Sequence, residues 1–225
     1  QVVNSLGGGI CQVSTTLYNA VLNAELQVDE RSNHSMIVTY VDPSADAAIS
    51  ESGGKDFKFT NNKEYPIYIE GTTTSDKTIT FTIYGVEDRS SDRKVEYVSE
   101  VLETNVPPTE KIIPTGDPVG YVNVQSVHVG YKARLWKVVT ENGVEVSREQ
   151  VNSSSYAAVP RTASVGTATA DPNVAAQIQA AIATGSIDYV KSVAGALAAQ
   201  EAAAAAAAGQ QIGVTEDMGT GATDG

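Results

Sequence analysis

One helical pattern stands ahead of a long series of strand patterns, and that order limits the fold more than any other feature of the chain. Three glycines, Gly7, Gly8 and Gly9, lead into the run ICQVSTTLYNAVLNAEL. Within it Val13, Leu17, Ala20, Val21 and Ala24 recur at i, i+4, i+7, i+8 and i+11, one face of an α-helix. The pattern fades over Leu26 to Val28. Strand patterns follow at 36–41, 47–50, 57–60, 67–71 and 78–84, with turn pairs between them such as Asp42-Pro43 and Gly53-Gly54. The last is the clearest, with Ile79, Phe81 and Ile83 alternating against threonines. The expected fold class is α+β: one helix after a Gly-rich turn, packed on an antiparallel sheet.

Composition divides the chain further. Residues 1–86 form the helix-and-strand zone, and a charged link covers 87–94. Residues 95–167 carry alternating segments, prolines at turns and a hairpin signal at Asn142-Gly143, which predicts an extended all-β module. Residues 168–225 are a low-complexity tail rich in Ala and Gly, with an alanine run from Ala202 to Ala208. Propensity permits helix there. With Tyr189 as its one aromatic, the tail is expected to be a surface helix or a disordered tether rather than a core.

Charge narrows the partners. Lys and Arg number 15 and Asp and Glu 27, so the formal net charge is −12. That balance argues against nucleic acid or an anionic membrane surface as partner. No apolar run approaches the roughly 20 residues of a membrane helix. The opening QVVNSL has no initiator Met and reads like the end of a strand, so a signal or anchor is expected upstream. Nothing in the sequence sets an oligomeric state.

The chain holds a single cysteine, Cys11, behind the glycines and at the helix start. Glycines let the backbone approach a substrate closely. A helix N-terminus favours thiolate, and its unpaired N–H groups can hold an oxyanion. An unpaired Cys is also a small hydrophobe that packs well, and spacing alone leaves packing and chemistry open. His34 is the candidate base, because imidazole exchanges protons near neutral pH; a solvated loop histidine is the bland alternative. The other histidine, His128, falls in the all-β module. Asp46 could orient the imidazole, with Glu30 and Asp42 competing for that role. Gly8, Gly9, Gln12 and Ser14 are candidate oxyanion or substrate contacts. Two histidines and one cysteine give no zinc spacing, so no metal or cofactor is expected. The glycine run lacks the lysine of a phosphate loop.

At GGGICQVSTTLYNAVL, ERSNHS, YVDPSADAAIS and GGKDFKFTNNKEYPIYIEG the sequence resembles the VanW-like family. At YVSEVLETNVPPTEKIIPTGDPVG and GYKARLWKVVTENGVEVSREQV through PRTASVGT it resembles a G5 module. The resemblance implies a secreted envelope protein of a Gram-positive-type bacterium, with peptidoglycan stem peptides and glycan strands as partners. It implies L,D-transpeptidase chemistry, with Cys11 as nucleophile, His34 as base and Asp46 as orienter. A cysteine peptidase acting on envelope protein would share the nucleophile. The competing reading is a non-catalytic envelope module linked to glycopeptide resistance. There the aromatic surface of Tyr121, Tyr131 and Trp136 would stack on sugars, although a lone Trp in a strand is more often core.

Overall fold

The computed structural model describes residues 8–50 and 53–215. In chain order its elements are α1 Ile10–Asn23, β1 Gln27–Arg31, β2 Phe57–Thr60, β3 Tyr68–Thr73, β4 Ile79–Tyr84, β5 Arg93–Asn105, β6 Lys111–Pro118, β7 Val122–Gln125, β8 Gly130–Glu141, β9 Val144–Tyr156, β10 Thr162–Ala168, α2 Pro172–Ala183 and α3 Ile187–Thr215. The architecture is α+β. Two compact units form, and they cut the chain differently from the composition zones. Gln1–Val106 joins His128–Val159, while Pro107–Val127 joins Pro160–Gly225. The charged link is absorbed as well, since β5 begins at Arg93.

In the first unit, α1 serves two antiparallel hairpin-like pairs, β1–β2 and β3–β4, and the long antiparallel sheet β5-β8-β9. The helix buries Ser14, Thr15, Tyr18, Val21 and Leu22; of the expected stripe Val21 is buried, Leu17, Ala20 and Ala24 are half-buried, and Val13 is exposed. The face is turned by about one residue because Ser14 and Thr15 satisfy their hydroxyls on the backbone of Ala47. Tyr18, Leu22, Ala47 and Leu135 form the small apolar core. On β5 and β8, residues of one parity point into it. Tyr97 donates to the Leu22 carbonyl at 2.6 Å, and Ser99 donates to that of Pro43 at 2.6 Å.

The strand expected at 36–41 is bend and irregular backbone, and 47–50 contributes only the bridge Ser50 to Lys55. The backbone of Ala47 and Ile49 is used instead to hold a loop against the helix. Strand β1, with the sequence QVDER, was missed: it is short, charged and broken by an irregularity between Val28 and Glu30. Helix α1 ends in paired 6→1 and 5→2 hydrogen bonds, Leu26 N–H to Val21 and Glu25 N–H to Leu22. Glu25 occupies the left-handed position at φ 54° that glycine usually takes. Two Arg93 nitrogens and Lys137 Nζ grip its carboxylate at 2.5, 2.8 and 2.6 Å. The Arg93 hydrogen bonds lead, and against the opposing effect of burial they and Lys137 draw the Glu25 carboxyl down to about 2.

The second unit corrects the expectation of a tail without a core. Strand β10 lies between β6, to which it is parallel, and β7, to which it is antiparallel. Val174, Ile178 and Ala181 of α2 and Ile187, Val190, Ala194 and Leu197 of α3 are buried with Val119, Ala163 and Val165. Small residues let helices and sheet come close. Asp171 caps α2 through the Asn173 N–H at 2.7 Å, with Pro172 in the first turn. Gly185, at φ 73°, separates the helices. The alanine run does stay at the surface, with Ala202 to Ala207 exposed.

Candidate functional site

Gly9 starts the site. It takes φ 95° at the N-cap of α1, a left-handed conformation that suits glycine, and no side chain caps the helix. Its carbonyl accepts from Gln12 and Val13 at 2.9 and 3.1 Å. Ile10 and Cys11 sit where helix geometry supplies no intrahelical acceptor for their N–H groups. Cys11 is half-buried in this turn, and its Sγ donates to the Ile49 carbonyl at 3.5 Å.

The loop that carries Asp46 is tied to the same helix. Ser14 Oγ donates to the Ala47 carbonyl at 2.6 Å, Asn19 Nδ2 donates to that of Ala45 at 2.8 Å, and Thr15 Oγ1 accepts from the Ala47 N–H at 3.0 Å. These bonds suspend Asp46 in the interior, its side chain 1% exposed. Each carboxylate oxygen has two donors. Oδ2 faces the His34 backbone N–H and His34 Nδ1, both at 2.7 Å. Oδ1 accepts from Arg31 Nη2 at 2.7 Å and from the Tyr156 hydroxyl at 2.5 Å. Arg31 is itself buried and spends its other donors on the Asp46 carbonyl, the Ser44 carbonyl and Ser154 Oγ.

The electrostatics follow from this ring. Burial pushes the Asp46 carboxyl up, but the His34 and Tyr156 hydrogen bonds and the Arg31 charge outweigh it, so the group is held below the usual carboxylate range. An ionised carboxylate can only accept, so the proton between Asp46 and His34 belongs on Nδ1. That assignment leaves Nε2 available as a base. The Tyr40 hydroxyl lies 3.4 Å from Nε2. Burial raises the pKa of Tyr40, and the nearby Cys11 thiol adds to the shift.

The structure therefore joins His34 and Asp46 directly and brings Tyr40 near both the imidazole and the thiol. Among the described residues the thiol bonds to Ile49 and not to the imidazole. Glu30 pairs with Lys58 at 2.6 Å and Asp42 is exposed, so neither competes with Asp46. Gly8, Gly9 and Gln12 are exposed around the helix start. Ser14 differs from expectation: it is buried and committed to Ala47, so it faces the loop rather than a substrate. Tyr131 and Trp136 lie five apart on β8 and point to opposite faces of its sheet, while Tyr121 belongs to the second unit. They do not make one aromatic surface on β8. Trp136 is half-buried, with Nε1 on Glu100 at 2.7 Å, and Tyr121 is 44% exposed. No group of three or more His, Cys, Asp or Glu could hold a metal among the described residues.

Arg31, Tyr40, Ser154 and Tyr156 were missed by sequence reasoning. Arg31 lies within ERSNHS and Tyr40 just beyond it, and neither carries a local pattern that marks it. Tyr156 lies 110 residues from Asp46, and no local pattern could link them.

A cysteine in the uncapped first turn of a helix and a histidine held by a buried carboxylate, with Tyr40 near both, define a thiol-type candidate site in an α+β frame. Residues 1–84 match the family model described as VanW like protein, and residues 98–168 match the G5 domain. A VanW-like domain is thus followed by a G5 domain, the combination of a cell-wall-associated protein. The chain is 49% identical over 69 residues to the uncharacterized protein YoaR of Bacillus subtilis (strain 168), covering 31% of this chain and 22% of that protein. It therefore spans about a fifth of that relative's length. Among solved structures, the IgA1 protease G5 domain is similar at 29% identity, covering 34% of this chain and 94% of that one, with TM-score 0.23. HP0197-G5 is similar at 20% identity, covering 33% and 95%, with TM-score 0.18. No described helix is long and apolar enough to cross a membrane.

Proposed function

We propose that the protein is a peptidoglycan-modifying cysteine acyltransferase of the cell envelope, forming cross-links between stem peptides. The observation that carries this reading is the 2.7 Å contact of His34 Nδ1 with a fully buried, ionised Asp46, on a loop tied through Ala47 to the helix whose first turn carries the lone cysteine. Such a carboxylate fixes the tautomer and stabilises the imidazolium that forms when the base takes a proton. Nε2 of His34 removes the Cys11 proton, and the thiolate attacks the carbonyl carbon of a donor stem peptide. A C–S bond forms, and the helix-start N–H groups of Ile10 and Cys11 receive the oxyanion. The intermediate collapses as the C–N bond to the terminal residue breaks, and His34 hands its proton to the leaving amine. An amine from a second stem attacks the thioester, restores a C–N bond and releases the thiol. Water in place of that amine gives trimming.

Tyr40 must yield for the proton transfer, because its hydroxyl stands against the nitrogen that serves as base. The test is a muropeptide assay with the purified chain. Cross-linked or trimmed product should form with the wild type and be lost in Cys11→Ala; undiminished product in that variant sinks the reading.

A second reading is kept by one observation, the bond of the resting thiol to Ile49 instead of the imidazole. In that reading the protein binds wall glycan and performs no chemistry. Retention of Cys11→Ala on insoluble peptidoglycan, with no turnover by the wild type, would favour it.

A further inference from the structure

We infer that Tyr156 is a positioning residue for His34, so that strand β9, within the stretch matching the G5 domain, is a working part of the thiol site in the stretch matching the VanW-like family. The inference rests on the acyl-transfer reading and extends it to residues outside that family match.

Three alternate positions of β9 face inward and grip the site. Asn152 Nδ2 donates to the Tyr18 hydroxyl at 2.8 Å and to the Ser44 carbonyl at 3.1 Å. Ser154 Oγ accepts from Arg31 Nη1 at 2.8 Å. Tyr156, 3% exposed, accepts from the Ser44 N–H at 2.8 Å and donates to Asp46 Oδ1 at 2.5 Å. The i, i+2, i+4 spacing puts all three on one face of the strand.

The geometry explains what each bond does. A carboxylate offers about four acceptor positions, and Asp46 fills four with donors. His34 uses the two on Oδ2. Arg31 and Tyr156 use the two on Oδ1, so they set the rotation of the carboxylate and hence the direction from which Oδ2 meets the ring. The Arg31 side is doubly fixed, because Ser154 holds its far nitrogen. Tyr156 is fixed by the Ser44 N–H, so its hydroxyl hydrogen can only go to Asp46. Burial and the Asp46 contact push the Tyr156 hydroxyl up to about 12, which keeps it a donor across the working range. Removing this one hydrogen leaves Asp46 free to turn about its side chain and the imidazole less firmly aimed.

The chain has two histidines, His34 and His128, so ring signals are assignable in this chain labelled with ¹⁵N-histidine. In the wild type the His34 Nδ1–H should appear as a downfield, slowly exchanging proton. Tyr156→Phe, which deletes only the hydroxyl, should speed its exchange at least tenfold and lower kcat about tenfold with KM little changed. Ser154→Ala should shift both in the same direction by a smaller factor, and it carries the test if Tyr156→Phe fails to fold. Cys11→Ala should leave the ring signal intact. A folded Tyr156→Phe with wild-type exchange and kcat overturns the inference. Transfer persisting in Cys11→Ala would instead remove the acyl-transfer reading, and the ring signal would still decide whether β9 positions His34.

Discussion

The two units bury different chemistry. The second has a core of Val, Ile, Leu and Ala, with every member of its buried cluster apolar. The buried polar residues Ser14, Thr15, Ser44, Asp46 and Ser154 all belong to the first. The first buries these beside apolar residues such as Tyr18, Val21, Leu22 and Leu135. A buried carboxylate and guanidinium contribute little net stability against an apolar alternative, and removing one partner is costly. The contrast separates a unit whose buried cluster is apolar from one that also buries a carboxylate and the donors around it.

The strongest way to break that contrast is at the thiol. Cys11→Ala should reduce acyl transfer by a factor of about 10³ or more, with thermal stability nearly unchanged, because the side chain is half-buried and small. A large loss of stability would place Cys11 among the packing residues instead.

Asp46→Asn comes next and should act on both function and fold. The loss of orientation should cost about 10²-fold in kcat, and an unpaired Arg31 should cost about 3 kcal/mol in urea unfolding. An active Asp46→Asn protein would remove the electrostatic distinction between the units.

The opposite outcome is expected in the second unit. A Cβ on Gly166 would lie 2.1 Å from the Pro118 carbonyl oxygen and 2.7 Å from that of Asp117, and backbone cannot give way cheaply. Gly166→Ala should therefore destabilise that unit by about 2 kcal/mol or more, and turnover should persist. Calorimetry with a parallel activity assay checks both statements.

The smallest effect concerns acid. Glu25 has a depressed carboxyl, about 2 against an ordinary 4.5, so its stabilising contribution is present above about pH 4.5 and is lost as pH falls toward 2. Allowing for solvent screening, the loss should amount to about 2 kcal/mol at most. Glu25→Gln should lower stability at neutral pH and flatten that part of the acid profile. A variant profile parallel to the wild type would assign the acid loss to other carboxylates.

What could be read in advance follows the range of the interactions. Helix α1, β2, β3 and β4 announce themselves through local periodicity and turn residues. Cys11, His34 and Asp46 could be nominated because glycine, helix and loop signals lie close to them in the chain. The helix face was misjudged because hydroxyls at Ser14 and Thr15 found acceptors on a loop that has no pattern of its own. The tail was underestimated although Val174, Ile178, Ala181 and Ile187, Val190, Ala194, Leu197 have helical spacing; alanine beside small strand residues buries well without aromatics. Tyr156 was invisible for a deeper reason, since its partner is fixed by the pairing of β8 with β9 and not by neighbours in sequence.

That separation has a consequence during synthesis. Asp46 precedes Tyr156 by 110 residues. At the ordinary pace of about 5–20 residues per second, the ribosome has made the cysteine, the histidine and their carboxylate some ten seconds before the strand that steadies them exists. Until β9 is made, the Asp46 carboxylate lacks the Tyr156 hydroxyl that fills one of its acceptor positions.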